Sequence, residues 1–248
     1  MTSTELERAL AIAGLDAPVR WQEVTGSTNT LAAELAEAGA PEWTIVGAGH
    51  QTAGRGRRGR VWLDTPGGSL MTSFVLRPSL SADALGLLTL LAGASWAEAA
   101  SETTGLSVRC KWPNDLMIGE AKVGGVLAES SVAGGKVRWV VVGSGINLAP
   151  SGIEGSASLG ETDRPALLGS FLGRFKRGYE TRSKSLVADV VERWSAVSAT
   201  LGERVSALAT DGGRTEGVAT AVDGSGRLIL DVDGRRVAVA SERIEHLR

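Results

Sequence analysis

Four arginines fall within six residues in the segment GRGRRGR, from Gly54 to Arg60. Arginine makes paired hydrogen bonds to phosphate and carboxylate groups, and the intervening glycines let backbone N–H groups approach an anion. The segment therefore predicts a loop that folds around a polyanionic ligand. Because the arginines repel one another and have little apolar surface to pack, we expect residues 54–66 to be mobile until a ligand orders them. Composition leaves open a solvated basic loop or a weak nucleic-acid-binding patch.

Two further segments place a lysine beside turn-forming or small residues. Lys111 to Leu116 (KWPNDL) brackets a Pro-Asn-Asp corner with a lysine and an aspartate, side chains that suit a phosphate group and its Mg²⁺. Lys122 to Leu127 (KVGGVL) begins a strand with a lysine near two glycines, and glycine inside a strand often marks a group that lies close to the backbone. Taken singly, each segment is equally compatible with an ordinary β-turn or a surface lysine.

The order and spacing of these three segments, with STN at residues 27–29 and GIN at residues 145–147, resemble the catalytic domain of the biotin-protein ligases, also called biotin-[acetyl-CoA-carboxylase] ligases. The resemblance implies an α/β (α+β) fold with a mixed-sheet catalytic domain related to class II aminoacyl-tRNA synthetases and a small C-terminal SH3-like β-barrel. It implies an enzyme that activates biotin with ATP as biotinyl-5′-AMP and releases pyrophosphate. The acceptor would be a lysine of a biotin carboxyl carrier protein or a carboxylase domain.

The resemblance also assigns roles to individual residues. Biotin would be bound by Ser27, Thr28, Asn29, Gln51, Arg55, Gly56, Arg57, Lys122 and Gly125. ATP would be bound by Arg57, Arg58, Arg60, Lys111, Asn114 and Asn147. Asp115 would hold Mg²⁺. The catalytic residues would be Lys122, Arg57 and Lys111, because each step of the reaction accumulates negative charge that cations can stabilise.

An alternation of strands and helices must position these residues. Strands are predicted at Val19 to Val24, Thr44 to Ala48, Ser69 to Leu76, Val108 to Trp112, Lys122 to Ser130 and Val137 to Leu148. Helices are predicted from a capping box at Thr4 and Glu7 to about Ala13, and at Thr30 to Ala38, Asp83 to Thr103, Pro165 to about Arg182 and Leu186 to Leu201. The apolar run at residues 140–142 predicts a central strand that is covered on both faces.

From residue 203 onward the pattern changes to short β-rich segments. We predict four strands there, at Arg204 to Ala209, Glu216 to Val222, Leu228 to Val232 and Arg236 to Ala240. Asp233 and Gly234 form a two-residue hairpin signal between the last two. We therefore expect residues 1–201 to form the catalytic domain and residues 202–248 to form a small barrel packed on it.

Composition narrows the class of protein further. The net charge of -2 argues against bulk binding to nucleic acid, and one cysteine with two histidines cannot build a Cys/His metal site. The acidic N-terminus is unlike a secretion signal, and the uncharged run from Ala84 to Ala97 is shorter than the roughly 18 residues of a membrane span. We expect a cytoplasmic enzyme with no membrane or nucleic-acid partner. Because Ser27 follows the start so closely, we expect no DNA-binding domain before the ligase.

Two alternative functions stay open on the sequence. A lipoate- or octanoate-protein ligase shares the fold and modifies similar acceptor domains, although those relatives do not resemble the chain in GRGRRGR or KWPND. A nucleic-acid-binding module could use the arginine-rich segment of residues 54–60, called here the arginine loop, alone. Steep salt dependence of RNA or DNA binding, without ATP–pyrophosphate exchange, would favour that module.

Overall fold

The structure is a computed structural model, and it describes residues 1–180, 183–208, 213–239 and 243–247. The predicted helix end at Arg182 and the predicted strand ends at Ala209 and Ala240 lie outside these residues. The chain forms a large mixed sheet with helices on both faces, followed by a smaller antiparallel sheet.

Seven strands form the large sheet: β1 (Val19–Thr25), β2 (Ile45–Gln51), β3 (Ser69–Leu76), β4 (Val108–Lys111), β5 (Asp115–Ile118), β6 (Ala121–Ala133) and β7 (Lys136–Asn147). Their order is β1-β2-β3-β7-β6-β5-β4. β1 and β2 are parallel, and the other neighbouring strands are antiparallel. The six predicted strands are confirmed. β5 was not predicted. The Pro-Asn-Asp corner was read as following the end of a strand, whereas it connects β4 and β5 in a hairpin.

Five helices lie among the described residues: α1 (Ser3–Ile12), α2 (Thr28–Glu37), α3 (Leu85–Thr104), α4 (Arg164–Tyr179) and α5 (Ser183–Ala196). Thr2 caps α1 by accepting a hydrogen bond from the backbone nitrogen of Glu5 at 3.3 Å, so the capping box predicted at Thr4 and Glu7 is wrong. The predicted helices are otherwise confirmed, with ends shifted by a few residues.

Both faces of the central strands of the sheet are buried. On one face α3 and α4 form the main core, where the rings of Trp96 and Phe171 stack with centroids 4.1 Å apart. On the other face α2 covers a smaller apolar cluster that contains Val46, Val75 and Val141. The prediction of a doubly covered central strand at β7 is therefore confirmed.

The long helix α3 is a core element. Within Ala82–Thr104, a window with a mean hydropathy of 1.2 is long and apolar enough to cross a membrane, but 67% of that window is buried inside the fold. The helix is longer than the uncharged run from Ala84 to Ala97, because its apolar stretch includes residues that flank that run. The burial shows that the apolar surface of α3 serves the interior of this protein.

The C-terminal sheet contains β8 (Arg204–Leu208), β9 (Arg214–Val222), β10 (Leu228–Val232), β11 (Arg235–Val239) and β12 (Arg243–His246). Its order is β11-β10-β9-β8-β12, and all neighbours are antiparallel. The hairpin at Asp233 and Gly234 is confirmed, with φ of 53° and 82°. β12 was not predicted, and the closure of these strands into a barrel remains a prediction.

The turn between β9 and β10 contacts the start of α3 and the corner between β4 and β5. The indole nitrogen of Trp112 donates to the carbonyl oxygen of Gly226 at 3.0 Å. A Cβ at Gly86, in the first turn of α3, would lie 2.5 Å from the carbonyl oxygen of Ser225, so glycine is what permits this approach. The C-terminal sheet therefore helps to place the corner that carries Lys111 and Asp115.

Candidate functional site

The start of α2, the arginine loop and the middle of β6 and β7 enclose a cavity of about 160 Å³, called here the central cavity. All nine residues predicted to contact biotin line it: Ser27, Thr28, Asn29, Gln51, Arg55, Gly56, Arg57, Lys122 and Gly125. Three of the predicted ATP contacts line it: Arg57, which was assigned to both ligands, Arg60 and Asn114. Segments that are far apart in the sequence thus meet around one space.

Thr28 and Gln51 form a polar wall of this cavity. Gln51 Oε1 accepts hydrogen bonds from the backbone nitrogen of Thr28 at 2.7 Å and from Thr28 Oγ1 at 3.0 Å. A backbone N–H can only donate, so this contact fixes the carbonyl oxygen of Gln51 toward Thr28. The amide nitrogen of Gln51 is then left to donate to a carbonyl group on a ligand.

Asn29 is held by protein groups at both ends of its amide. Ser73 Oγ donates to Asn29 Oδ1 at 2.7 Å, and Asn29 Nδ2 donates to Glu129 Oε2 at 2.8 Å and to the carbonyl oxygen of Leu127 at 3.3 Å. A Cβ at Gly143 would lie only 1.7 Å from Asn29 Oδ1, so the missing side chain makes room for this amide. Asn29 therefore organises the wall that Thr28 and Gln51 present.

The arginine loop has more internal structure than the sequence suggested. The backbone nitrogen of Gly56 donates to the carbonyl oxygen of Arg60 at 2.7 Å. The backbone nitrogen of Trp62 donates to the carbonyl oxygen of Gly54 at 2.9 Å. Between them Arg57–Gly59 form a short 3-10 turn, in which Arg58 has a φ of 58°. The expected mobility of residues 54–66 before a ligand binds stays a prediction. The loop is a tight hairpin, and both of its arms line the cavity.

Arg57 lies between the central cavity and a neighbouring cleft and lines both. Its Nη1 atom is buried and has no hydrogen-bond partner among the described residues. Burial, followed by the charges of Arg58 and Arg60, lowers the pKa of the Arg57 guanidinium, while Asp115 opposes the shift. A buried cation beside two other cations gains stability from an anion, so a bound carboxylate or phosphate would complete this part of the site.

Lys122 and Asp115 form an ion pair at the boundary of the cavity. Lys122 Nζ lies 2.5 Å from Asp115 Oδ1 and 5.9 Å from the centroid of the Trp62 ring. The antiparallel pairing of β5 and β6 brings the two side chains together. Lys122 lines the central cavity, whereas Asp115 lines an adjacent cleft. The pair thus places a cation beside the central cavity and a carboxylate beside the adjacent cleft.

The predicted ATP contacts are divided between the central cavity and two neighbouring clefts. Arg60 and Asn114 line both the central cavity and a cleft of 890 Å³, which also holds Lys111 and Asp115. Arg58 lines a third cleft, of 320 Å³. A ligand longer than the central cavity can therefore extend past Arg60 and Asn114 toward Lys111.

Asn147 lies apart from these residues and lines none of the three spaces. Its Nδ2 atom donates to the carbonyl oxygen of Ala157 at 3.2 Å, and its Oδ1 atom is buried without a partner among the described residues. Its predicted contact with ATP stays a prediction.

The assignment of site residues from the sequence did not include Glu129, Ser73 or Trp62. Trp62 packs its indole on β7, where a Cβ at Gly145 would lie 2.5 Å from the ring. Glu129 could have been noticed as a lone charge in the apolar stretch VLAES, and Trp62 as an aromatic residue directly after the arginines. Ser73 carries no signal, because a serine inside a strand is common.

Comparison with known families places the same segments together. Residues 21–147 match the model described as the biotin/lipoate A/B protein ligase family. Residues 200–247 match the model described as the biotin protein ligase C-terminal domain. The first match contains the whole lining of the central cavity, and the second contains β8 to β12.

Individual relatives resemble the chain over most of its length. A biotin-[acetyl-CoA-carboxylase] ligase of Paracoccus denitrificans is 34% identical and covers 88% of this chain and 96% of its own. The ligase of that name from Mycobacterium tuberculosis is 31% identical and covers 98% of this chain and 96% of its own. The solved structure of a biotin protein ligase from Aquifex aeolicus in complex with biotin and ATP has a TM-score of 0.73 at 27% identity and covers 93% of this chain and 99% of its own.

Proposed function

Because the chain belongs to the biotin/lipoate A/B protein ligase family, we propose that its central cavity binds biotin and that the arginine loop and Lys122 join biotin to ATP. The chain is an ATP-dependent ligase that activates biotin and transfers it to a carboxylase. The observation that carries the residue assignment is the convergence of all nine expected biotin contacts on one cavity.

Biotin is held by its two polar ends. The wall formed by Thr28 and Gln51 offers an amide nitrogen to the carbonyl oxygen of the ligand's fused rings. The carboxylate end then faces Lys122 and Arg57, which line the same cavity. Arg57 is partly buried beside other cations, so a carboxylate or phosphate there supplies an anionic hydrogen-bond acceptor for its Nη1 atom.

In the first step a carboxylate oxygen of biotin bonds to the α-phosphorus of ATP. The bond from that phosphorus to the bridging oxygen breaks, and pyrophosphate leaves with the electron pair. Negative charge grows on the phosphoryl oxygens and on the leaving group. Lys122 and Arg57 stabilise this charge, and Arg60 and Lys111 bind the departing phosphates in the cleft beyond. The predicted contact of Asn147 with ATP belongs to this step.

The side chains around the proposed ATP site are compatible with Mg²⁺ that binds together with ATP. No group of three or more His, Cys, Asp or Glu side chains that could hold a metal is found among the described residues. Mg²⁺ often needs only one or two carboxylates besides phosphates and water, and Asp115 offers one carboxylate in the cleft that holds Lys111. Asp115 would hold the ion, which would neutralise charge on the phosphates.

In the second step the amine of an acceptor lysine attacks the activated carbonyl carbon, and AMP leaves. We propose a biotin carboxyl carrier protein or a carboxylase acceptor domain as the partner, with no part played by nucleic acid or membrane. We also propose that residues 1–201 and 202–248 are the two domains, a division supported by the C-terminal match that begins at residue 200. The buried free thiol of Cys110 is compatible with a cytoplasmic site of action.

Biotin-dependent exchange of labelled pyrophosphate into ATP tests the proposed activity. We expect exchange with ATP, Mg²⁺ and biotin together, and none when biotin is left out. Exchange driven by lipoate or octanoate but not by biotin would assign the chain to the other branch of its family. Binding of RNA or DNA that weakens steeply with salt, without any exchange, would overturn the enzymatic proposal.

Replacing Gly143 by alanine is expected to weaken biotin binding about tenfold, because displaced buried hydrogen bonds cost on the order of 1–3 kcal/mol. The new Cβ would lie 1.7 Å from Asn29 Oδ1 and 3.0 Å from Ser73 Oγ. Asn29 must therefore leave Ser73, and the wall at Thr28 loses its support. Titration calorimetry with biotin measures the change.

Gly173→Ala is the matched control, because it makes the same chemical change in α4, where the nearest atoms to the new Cβ are 3.7 and 3.8 Å away. We expect its affinity for biotin to equal that of the wild type. Equal affinities in all three proteins would remove Asn29 from the support of the biotin site.

A further inference from the structure

Glu129 connects the arginine loop to the rigid body of the protein. Its Oε1 atom pairs with Arg55 Nη2 at 2.7 Å, and its Oε2 atom accepts from Asn29 Nδ2 at 2.8 Å. One carboxylate thus joins the loop to the first turn of α2. None of the roles proposed above for biotin, ATP or Mg²⁺ uses this carboxylate.

The anchor on the Asn29 side is held by hydrogen bonds at both ends of its amide. The other end of the Asn29 amide is bound by Ser73 in β3, and its nitrogen also donates to the carbonyl oxygen of Leu127. Glu129 itself lies within the ladder between β6 and β7, opposite Val141, which is fully buried. The carboxylate is therefore presented to the loop from a fixed position.

The partner on the loop side is Arg55, on the N-terminal of the two loop arms that line the cavity. Arg55 bridges to Val61 across the loop, and Arg55 and Gly56 both line the central cavity. The loop carries four arginines, whose mutual repulsion favours an open loop. An anion at the base of the arm opposes that repulsion and holds the arm toward the cavity.

We propose that Glu129 is a positioning residue that latches the arginine loop over the central cavity through Arg55 and so prolongs the retention of biotinyl-5′-AMP. The latch is a property of the ligand-free chain. Its effect on retention rests on the proposed function of the central cavity.

Trypsin tests the latch without any substrate, because it cleaves after arginine and needs the loop to open locally. In Glu129→Gln the side-chain oxygen can still accept from Asn29, but the charge that holds Arg55 is gone. The Arg55 side chain is 50% exposed and that of Glu129 is 26% exposed. For so exposed a pair we expect cleavage within residues 55–60 to be about fivefold faster than in the wild type.

Glu37→Gln is the matched control. Glu37 also binds a guanidinium and a second nitrogen donor, since its carboxylate accepts from Arg138 Nη1 at 2.6 Å and from Trp139 Nε1 at 2.7 Å. Neither Glu37 nor its two partners line the central cavity. We expect cleavage of this variant within residues 55–60 at the wild-type rate.

Arg55→Gln supplies the second variant. It should raise cleavage at the remaining arginines of the loop by a similar factor, and the double variant should show no further increase, because both changes remove one interaction. Release of biotinyl-5′-AMP, followed by rapid filtration, should also be about fivefold faster in Glu129→Gln. If Glu129→Gln does not fold, Arg55→Gln alone carries the test.

The outcomes separate the latch from the proposed function. Wild-type cleavage rates in both single variants, or additive effects in the double variant, would overturn the latch. Faster cleavage with unchanged release of the adenylate would overturn its role in retention. If the wild type makes no biotinyl-5′-AMP, the proposed function fails, whereas the cleavage rates still decide whether Glu129 holds the loop.

Discussion

Replacing Lys122 by alanine is expected to slow the formation of biotinyl-5′-AMP by at least about 100-fold, the usual cost of removing one preorganised electrostatic group. Its ammonium lines the central cavity and lies 2.5 Å from Asp115, at the boundary between the proposed biotin and phosphate regions. Both the reacting carboxylate and the phosphoryl oxygens need a cation there. Biotin-dependent ATP–pyrophosphate exchange measures the loss.

The fold should survive this change, because the Lys122 side chain is 36% exposed and belongs to no apolar cluster. Lys136→Ala is a suitable control, since Lys136 is exposed at the far end of the hairpin between β6 and β7. It should retain wild-type exchange. Near-normal exchange in Lys122→Ala with an unchanged thermal midpoint would show that Lys122 serves only as the ion-pair partner of Asp115.

Replacing Arg57 by glycine is expected to release biotinyl-5′-AMP about 30-fold faster, since a charge-assisted contact to phosphate contributes on the order of 2 kcal/mol. Glycine also adds backbone freedom to a loop that must stay closed while the reactive adenylate waits for its acceptor. The escaped adenylate should then label lysines on unrelated proteins. Adenylate synthesis should continue at a reduced rate, because Lys122 still faces the carboxylate.

The measurement is biotin transfer to an unrelated protein added in excess, with wild type alongside. Arg57→Ala separates the two causes, because it removes the guanidinium without adding the freedom of glycine. Arg236→Ala removes an exposed arginine from β11 and should label like the wild type. If Arg57→Gly makes adenylate but labels the bystander no faster than wild type, Arg57 does not hold the intermediate.

Sequence reasoning was strongest where a short segment carries its own chemistry. Three short segments can be recognised from consecutive residues alone: GRGRRGR, KWPND and KVGG. Their order along the chain indicates the family. The strands and long helices could be predicted for a similar reason, because apolar periodicity reports which face of an element is buried. Even so, the strand β5 was missed, since a polar turn residue does not reveal whether the chain pairs after the turn. The N-terminal cap of α1 was also misplaced, at Thr4 instead of Thr2.

The residues assigned to biotin all line the central cavity, but the contacts that organise this cavity were not anticipated. Asn29 was assigned to biotin from its place in STN, whereas the structure shows its amide held by Ser73, Leu127 and Glu129. The distribution of the ATP contacts over the central cavity and two neighbouring clefts could likewise not be predicted from the sequence. Such distributions depend on which strands become neighbours.

The sequence by itself determined which chemistry the chain carries: hydrogen-bonding side chains, clustered arginines, a lysine beside glycines and a carboxylate in the Pro-Asn-Asp corner. Only the tertiary structure decided how these groups support one another. Glu129 reaches Asn29 across 100 residues of chain and reaches Arg55 on the loop. Neither contact has a local signature, because each arises from the strand order β3-β7-β6 and from the fold of the loop above it. The type of each residue can be read at its own position in the sequence. The partner of its side chain depends on packing between segments that are far apart in the sequence.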